Sequence, residues 1–306
     1  MFRLGFLLLV LVAISGSQHT VEDARQPTCW VFTHLAKTGG VTVAIILRRW
    51  ASAARIENVI HYDTDAWKQG SSFAKQIAPV AGRTVVYGGY TEALRPYLDD
   101  GCRWFTVLRH PVSRLVSAYF YCKKSPRDQC CASIITKASN VDFHTFAEHW
   151  GNYGVRQFAL AFQGSEPVLK SEIAAACPQC PGWYLLKTYL RENFQETIAP
   201  DGGLKHFDPV LRLVDRDYAA VGILEKLNSS MHLFNHALQM PGVDWPSAVE
   251  HAGVKNSGNH DSEERYQISM SSWTDLRVKM FIQLDLLLYE HAVNVNARQL
   301  AMYGLS

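Results

Sequence analysis

A short apolar run that enters a glycine-containing loop and leaves it as a helix restricts the fold of this chain more than any other feature. The run covers residues 29–34, the loop contains Lys37, and residues 41–50 are apolar with two arginines near their end. Cations are favoured there because the C-terminal end of a helix carries the negative end of its dipole. A strand that passes directly into a helix is half of a βαβ unit, so we expect a parallel sheet.

The same alternation continues along the chain. Strands are also predicted over residues 84–90, 104–108 and 219–224. Helices are predicted over residues 41–50, 111–121, 143–150, 153–162, 183–198, 229–238 and 272–292, and loops over residues 123–140 and 241–271. This order predicts an α/β fold with a central, mostly parallel sheet covered by helices on both faces. Because no long linker interrupts it, residues 28–306 are expected to form one domain.

Residues 1–17 have the composition of a secretory signal peptide. Arg3 precedes an apolar stretch, and small residues follow that stretch. A spanning helix needs about 20 apolar residues, so a signal peptide is favoured, with a short uncleaved membrane anchor and a buried N-terminal helix as alternatives. The first two place the rest of the chain in the secretory pathway, where Asn228 begins the N-glycosylation sequon Asn-Ser-Ser.

Seven cysteines agree with an oxidising compartment, where disulfides form and persist. Cys177 and Cys180 can close a small loop, and Cys122 can pair with Cys130 or Cys131. The odd number implies one thiol that is free or bonded to another chain. Adjacent cysteines chelate zinc poorly, so no metal site is expected.

The overall charge argues against a nucleic-acid partner. Thirty Lys and Arg side chains oppose 28 Asp and Glu side chains, so the formal net charge is only +2. Any anionic ligand must therefore be bound by a local group of donors.

The first such group is the loop between the predicted strand and helix, which consists of Lys37, Thr38, Gly39, Gly40, Val41 and Thr42. The lysine brings a positive charge and the threonines bring hydroxyl donors. The glycines let backbone N–H groups approach a phosphate at the helix N-terminus. The loop is not a Walker A sequence, because Ala36 precedes the lysine and the glycines follow it. An ordinary glycine-containing turn is the alternative.

The second group follows the predicted strand over residues 104–108. Arg109 leaves the strand end, Pro111 starts a helix, and Ser117 lies two turns into that helix. Both Arg109 and Ser117 can face the crevice at the carboxyl ends of the strands, where α/β sheets bind ligands. An arginine can bind a phosphate through two hydrogen bonds. The alternative is that Arg109 only bridges surface structure.

Residues 32–40 and 105–111, with Ser117, closely resemble the Golgi sulfotransferases that act on glycans, the family of heparan sulfate 2-O-, 6-O- and uronyl sulfotransferases. Weaker similarity occurs at residues 152–157, 221–225 and 285–289. The resemblance implies a single P-loop-like domain, residence in the Golgi lumen or membrane (or secretion if the signal is cleaved), and 3′-phosphoadenosine 5′-phosphosulfate (PAPS) as cofactor. The first motif would bind the 5′-phosphosulfate and the second the 3′-phosphate.

Sulfuryl transfer also needs a general base that takes the proton of the acceptor hydroxyl. The family has a histidine near the end of the strand before the second motif, whereas residues 85–92 contain none here. Glu92 is the nearest carboxylate and is our first candidate for the base, with Lys37 as the residue that stabilises the leaving oxygen. His61, in an expected upstream loop, is the second candidate for the base. Arg156 is expected to orient an anionic glycan.

The sequence therefore predicts an enzyme, a PAPS-dependent carbohydrate sulfotransferase that works without a metal. Three alternatives stay open: a nucleotide-binding phosphotransferase, a protein that binds PAPS or a glycan without catalysis, and a sulfotransferase that acts on proteins. The first lacks both the Walker pattern and an aspartate at the end of an apolar strand, which Mg²⁺-dependent nucleotide hydrolases use.

Overall fold

Five parallel strands form the central sheet, in the order β2-β3-β1-β4-β5. The strands are β1 (Cys29–Thr33), β2 (Asn58–His61), β3 (Thr84–Gly88), β4 (Arg103–Leu108) and β5 (Tyr218–Ile223). The computed structural model describes residues 27–63, 82–98, 100–125, 142–162, 207–253 and 263–305. The predicted α/β class with a parallel sheet is confirmed.

Strand β1 lies in the middle of the sheet because its side chains are apolar on both faces. Trp30 and Phe32 point into one core and Val31 into the other, all fully buried. A strand with two buried faces is typical of parallel sheets. Its last residue, Thr33, pairs with Gly88 of β3 and Thr106 of β4, so the loops that follow these strands leave the same edge of the sheet.

Helices cover both faces of the sheet, as predicted. One face carries α1 (Gly40–Ala53), α6 (Leu227–Leu238) and α7 (Trp245–Ala252). The other carries the 3₁₀ helix Thr91–Tyr97, α4 (Tyr153–Ala159), α5 (Phe207–Arg216) and α10 (Gln283–Met302). A third apolar cluster joins α2 (Pro111–Lys124), α3 (Phe143–Trp150), α8 (Glu263–Thr274) and α9 (Leu276–Phe281).

The C-terminal third differs most from expectation. The predicted loop over residues 241–271 contains α7 and the start of α8. The proline of α7 lies in the first turn, where its missing N–H is not needed, so it does not break the helix.

The prediction of a single helix over residues 272–292 is also wrong, because this range contains the end of α8, all of α9 and the first half of α10. The carboxylate of Asp275 accepts hydrogen bonds from two backbone N–H groups and starts α9 as a separate helix. Leu276, the first residue of α9, is 80% exposed.

Two smaller corrections concern short features. His61, expected in a loop, is the last residue of the edge strand β2, whose polar ends hid its strand character. Asn228, expected just before a helix, is the second residue of α6, where its side chain is exposed.

Several predictions lie outside the described residues. These are the N-terminal segment 1–17, the helix over residues 183–198 and the Cys177–Cys180 pair. Within the described ranges, no helix is long and apolar enough to cross a membrane.

A disulfide between Cys29 and Cys102 joins the amino ends of β1 and β4. The sequence alone does not indicate this pair, because the two cysteines are 73 residues apart. The strand register explains the pairing, since Trp30 is opposite Arg103 and each cysteine comes one residue earlier. Cys122 is also disulfide-bonded, and the two partners proposed for it lie outside the described residues.

Removing the Cys29–Cys102 disulfide is expected to lower the free energy of unfolding by about 2–4 kcal/mol, because the bond restricts a long loop of the unfolded chain. Urea unfolding of the Cys29→Ser/Cys102→Ser protein and the wild type, both without reductant, measures the difference. The double substitution leaves no new free thiol. Equal midpoints and slopes in the two proteins would contradict the pairing.

Candidate functional site

The two predicted anion-binding motifs follow neighbouring strands. After β1 the chain continues to the β2 and β3 side of the sheet, and after β4 it continues to the β5 side. Loops that diverge in this way leave a crevice at the carboxyl ends of the strands, which is the usual ligand site of an open parallel sheet. The hydroxyl of Thr106 donates to the carbonyl oxygen of Thr33 at 2.8 Å and fixes the two strand ends to each other.

The loop after β1 has the backbone conformation of an anion-binding turn. Lys37 and Gly39 both have positive φ, at 68° and 84°, and α1 begins directly afterwards. Alternating backbone conformations of this kind turn successive N–H groups toward one point. Gly40 is required for a different reason, because a Cβ atom there would lie 1.9 Å from Cδ2 of His34.

The threonines of this loop serve partly to hold it together. Thr38 is fully buried, and its hydroxyl donates to the carbonyl oxygen of Leu35 at 2.8 Å. The hydroxyl of Thr42 contacts the carbonyl oxygen of Gly253 at 3.4 Å. These protons point at backbone carbonyls, so the N–H groups and Lys37 remain the main donors for a ligand.

The two motifs contact each other through Arg109. One terminal nitrogen of its guanidinium donates to the carbonyl oxygen of Lys37 at 3.3 Å. The Lys37 ammonium lies 3.9 Å from the centre of the Tyr121 ring on α2. Ser117 is one helical turn before Tyr121 and so lies on the same face of α2. The structure therefore brings Lys37, Arg109 and the Ser117 face of α2 together.

Glu92, the first candidate for the base, lies close to the end of β1 but is buried. Its side chain is 0% exposed and lies in the 3₁₀ helix, on the opposite face of the sheet from α1. One carboxylate oxygen accepts from the hydroxyls of Thr33, at 2.9 Å, and Tyr218. The other accepts from Nε of Arg95 at 2.6 Å. Both oxygens are thus occupied inside the core.

The Glu92 carboxylate forms a buried ion pair with Arg95 and is not a free carboxylate. The Arg95 guanidinium also lies 3.9 Å from the centre of the Trp104 ring. Burial, and then the Glu92 carboxylate, raise the pKa of Tyr218 well above its usual value, so the phenol stays protonated and donates. Thr33 is the last residue of β1. Its hydrogen bond to Glu92 therefore fixes the strand end from which the Lys37 loop starts.

Two histidines lie at the carboxyl ends of strands, His34 directly after β1 and His61 at the end of β2. The ring of His34 stacks on Phe32 and packs against Gly40 at the start of α1. Burial, and then the charges of His61 and Lys37, lower the pKa of His34 to about 4, so this imidazole is neutral at physiological pH. The same influence shows that His61 lies close enough to His34 to interact with it electrostatically.

His61 is the accessible histidine of this pair. Its side chain is 47% exposed, and its Nδ1 lies 3.6 Å from a carboxylate oxygen of Asp63. Its ring stacks on Tyr87 of the neighbouring strand, with 5.0 Å between centres. An exposed imidazole with a nearby carboxylate has the composition of a general base.

Arg156, expected to orient a glycan, is a partly exposed residue of α4. Asp285 fixes the start of this helix, because its carboxylate accepts from the N–H groups of Gly154 and Val155 and from Arg114. The side-chain oxygen of Asn152 in return accepts from two N–H groups at the start of α10.

Hydrogen bonds to Glu225 fix the loop that contains Arg109. The carboxylate of Glu225 accepts from the N–H of His110 at 2.9 Å and from the hydroxyl of Tyr289 at 3.1 Å. The His110 ring stacks on Trp273 with 4.1 Å between centres. Residues 152–157, 221–225 and 285–289, which the sequence showed only as weak similarity, thus form a frame behind the second motif.

No family model matches the chain, and no curated protein matches it significantly. Among the described residues, no group of three or more His, Cys, Asp or Glu side chains is placed to hold a metal ion.

Glu92→Gln is expected to lower the free energy of unfolding by about 3–5 kcal/mol, because the substitution removes the buried counter-charge of Arg95 and leaves only the more exposed Asp217 near its guanidinium. The matched control is Asp217→Asn. Asp217 is 49% exposed and contacts the same guanidinium at 3.6 Å, so its loss should cost less than about 1 kcal/mol.

Urea unfolding of both variants measures these differences. A Glu92→Gln protein as stable as the wild type would contradict the structural role. If that stable protein had also lost turnover, Glu92 would be the base after all.

Proposed function

We propose that this protein transfers a sulfuryl group from PAPS to a hydroxyl group of a glycan in the secretory pathway. The contact between Arg109 and the Lys37 carbonyl carries the proposal, because it joins two anion-binding loops at one crevice. PAPS has two phosphate groups on opposite sides of one ribose and therefore suits such a pair of loops.

The reaction is an in-line displacement at sulfur. The acceptor oxygen forms a bond to sulfur while the bond from sulfur to the 5′-phosphate oxygen breaks, and adenosine 3′,5′-bisphosphate leaves with the electron pair. Lys37 and the N–H groups at the start of α1 stabilise the charge that grows on the leaving oxygen. Arg109 and Ser117 hold the 3′-phosphate.

The proton of the acceptor hydroxyl needs a base, and the geometry favours His61 over Glu92. Glu92 has no open oxygen, whereas the His61 imidazole is exposed at the carboxyl end of β2. The Asp63 carboxylate stabilises the imidazolium that forms when the ring takes the proton. His34 is neutral at physiological pH, so it adds no charge that would oppose this step.

The Cys29–Cys102 disulfide supports the compartment part of the proposal. Structural disulfides between buried strands are typical of proteins that fold in an oxidising lumen. This agrees with the predicted signal peptide or short membrane anchor and, through the resemblance, with a Golgi enzyme.

Lys37→Ala is expected to lower turnover about 10²–10³-fold, because it removes the charge beside the leaving oxygen. Arg109→Ala is expected to weaken binding of adenosine 3′,5′-bisphosphate about 10- to 100-fold, because it removes charge-assisted hydrogen bonds to phosphate. Arg216→Ala is the control, since this exposed arginine precedes β5 at the opposite end of the sheet.

Transfer from labelled PAPS to a panel of desulfated glycosaminoglycans measures turnover, and calorimetry measures binding. If the Lys37 and Arg109 variants match the Arg216 variant in both turnover and binding, the assignment of the PAPS site is wrong. Binding without transfer to any acceptor would instead identify a non-catalytic relative, and magnesium-dependent transfer of phosphate would identify a phosphotransferase.

His61→Ala is expected to lower turnover about 10²–10⁴-fold with little change in nucleotide affinity, because only the proton acceptor is lost. His232→Ala, at an exposed histidine of α6, is the control. Single-turnover rates with saturating PAPS separate this effect from binding. If the His61 variant keeps full turnover, another group takes the proton.

A further inference from the structure

The guanidinium of Arg48 lies against Tyr87 on the flank of the candidate site. Its Nε donates to the hydroxyl of Tyr87 at 2.6 Å, and the guanidinium carbon lies 5.3 Å from the centre of that ring. Among the described residues, Tyr87 is the partner of this side chain, and none of the ion pairs between them includes Arg48. The side chain is exposed on α1.

The hydroxyl of Tyr87 makes this arginine more than a solvated surface charge. Tyr87 is 5% exposed and is fixed in the central sheet between β1 and β2. A rigid ring that holds Nε leaves the two terminal nitrogens as a planar pair of donors. Such a pair matches the geometry of a carboxylate or a sulfate, and little side-chain entropy remains to be lost on binding.

Tyr87 also sets the distance from Arg48 to His61, the proposed base. The Tyr87 ring contacts both Arg48 and the His61 ring. The two contacts together place the guanidinium no more than about 10 Å from the imidazole. This distance suits a group on the sugar that reacts or on its neighbour.

We propose that Arg48, positioned by Tyr87, binds a carboxylate or sulfate group of the acceptor and so selects an acidic glycan. The inference rests on the proposed function, because it takes the ligand of this flank to be the acceptor. It adds a binding residue that neither of the two anion-binding motifs contains.

The neighbouring Arg49 provides a matched control. It is exposed on the same helix and carries the same charge, but Tyr87 bonds to Arg48 and not to Arg49. A general attraction between cations and an acidic polymer would affect the two arginines alike. If Arg48 forms a specific binding site, only its substitution should weaken binding of the acceptor.

The test compares Arg48→Ala, Arg48→Lys, Tyr87→Phe and Arg49→Ala with the wild type, on the partially desulfated glycosaminoglycan, with both carboxylate and sulfate groups, that the wild type sulfates fastest. Arg48→Ala should raise KM about 10- to 100-fold with kcat nearly unchanged. Arg48→Lys should not restore KM, because an ammonium lacks the paired donors. Tyr87→Phe should raise KM less, and Arg49→Ala should leave it unchanged.

The same polymer after reduction of its carboxyl groups, and after complete desulfation, shows which anion is bound. The Arg48→Ala effect should disappear with the polymer that lacks the bound group. An equal effect of Arg48→Ala and Arg49→Ala, or no effect of either, would overturn the inference.

A second measurement separates this inference from the proposed function. Elution from immobilised heparin requires no turnover, and Arg48→Ala should elute at lower salt than Arg49→Ala. If the wild type transfers no sulfate but this difference persists, the proposed function fails and the anion site stands. If wild-type transfer is normal and the two variants elute together with equal KM, the site fails and the function stands.

Discussion

The hydrogen bond from Arg109 to the carbonyl oxygen of Lys37 is the contact on which the site depends. It exists because β1 and β4 are neighbours with their carboxyl ends at the same level, a register that Thr106 fixes by donating to Thr33. The disulfide fixes the other end of the same strand pair. Two loops far apart in sequence therefore present their cations to a single crevice.

Buried charge behind the sheet supports this arrangement. Glu92 with Arg95, and Asp285 with Arg114, are two ion pairs that lie in or near the core. Burying charge is costly unless every partner is in place, so each pair specifies one geometry. Glu92 fixes the end of β1, and Asp285 fixes the junction of α4 with α10.

The sequence was sufficient for those features that depend on local pattern. Apolar runs and glycines predicted four of the five strands, the Lys37 loop and the helix that follows Arg109. Features that depend on distant partners were not predictable: the burial of Glu92 needs Tyr218 and Arg95, and the Cys29–Cys102 bond needs the strand register. The edge strand that ends at His61 was not predicted because it is short and polar at both ends.

The central claim is that one crevice binds two phosphate groups of one nucleotide. Calorimetry of the full chain with adenosine 3′,5′-bisphosphate, and with adenosine 5′-monophosphate as the comparison, tests it most directly. We expect one bound bisphosphate per chain, at least about 10-fold tighter than the monophosphate because the second phosphate adds charge-assisted hydrogen bonds, and unchanged by a magnesium chelator. Equal affinities for the two nucleotides, or binding that requires magnesium, would contradict the account.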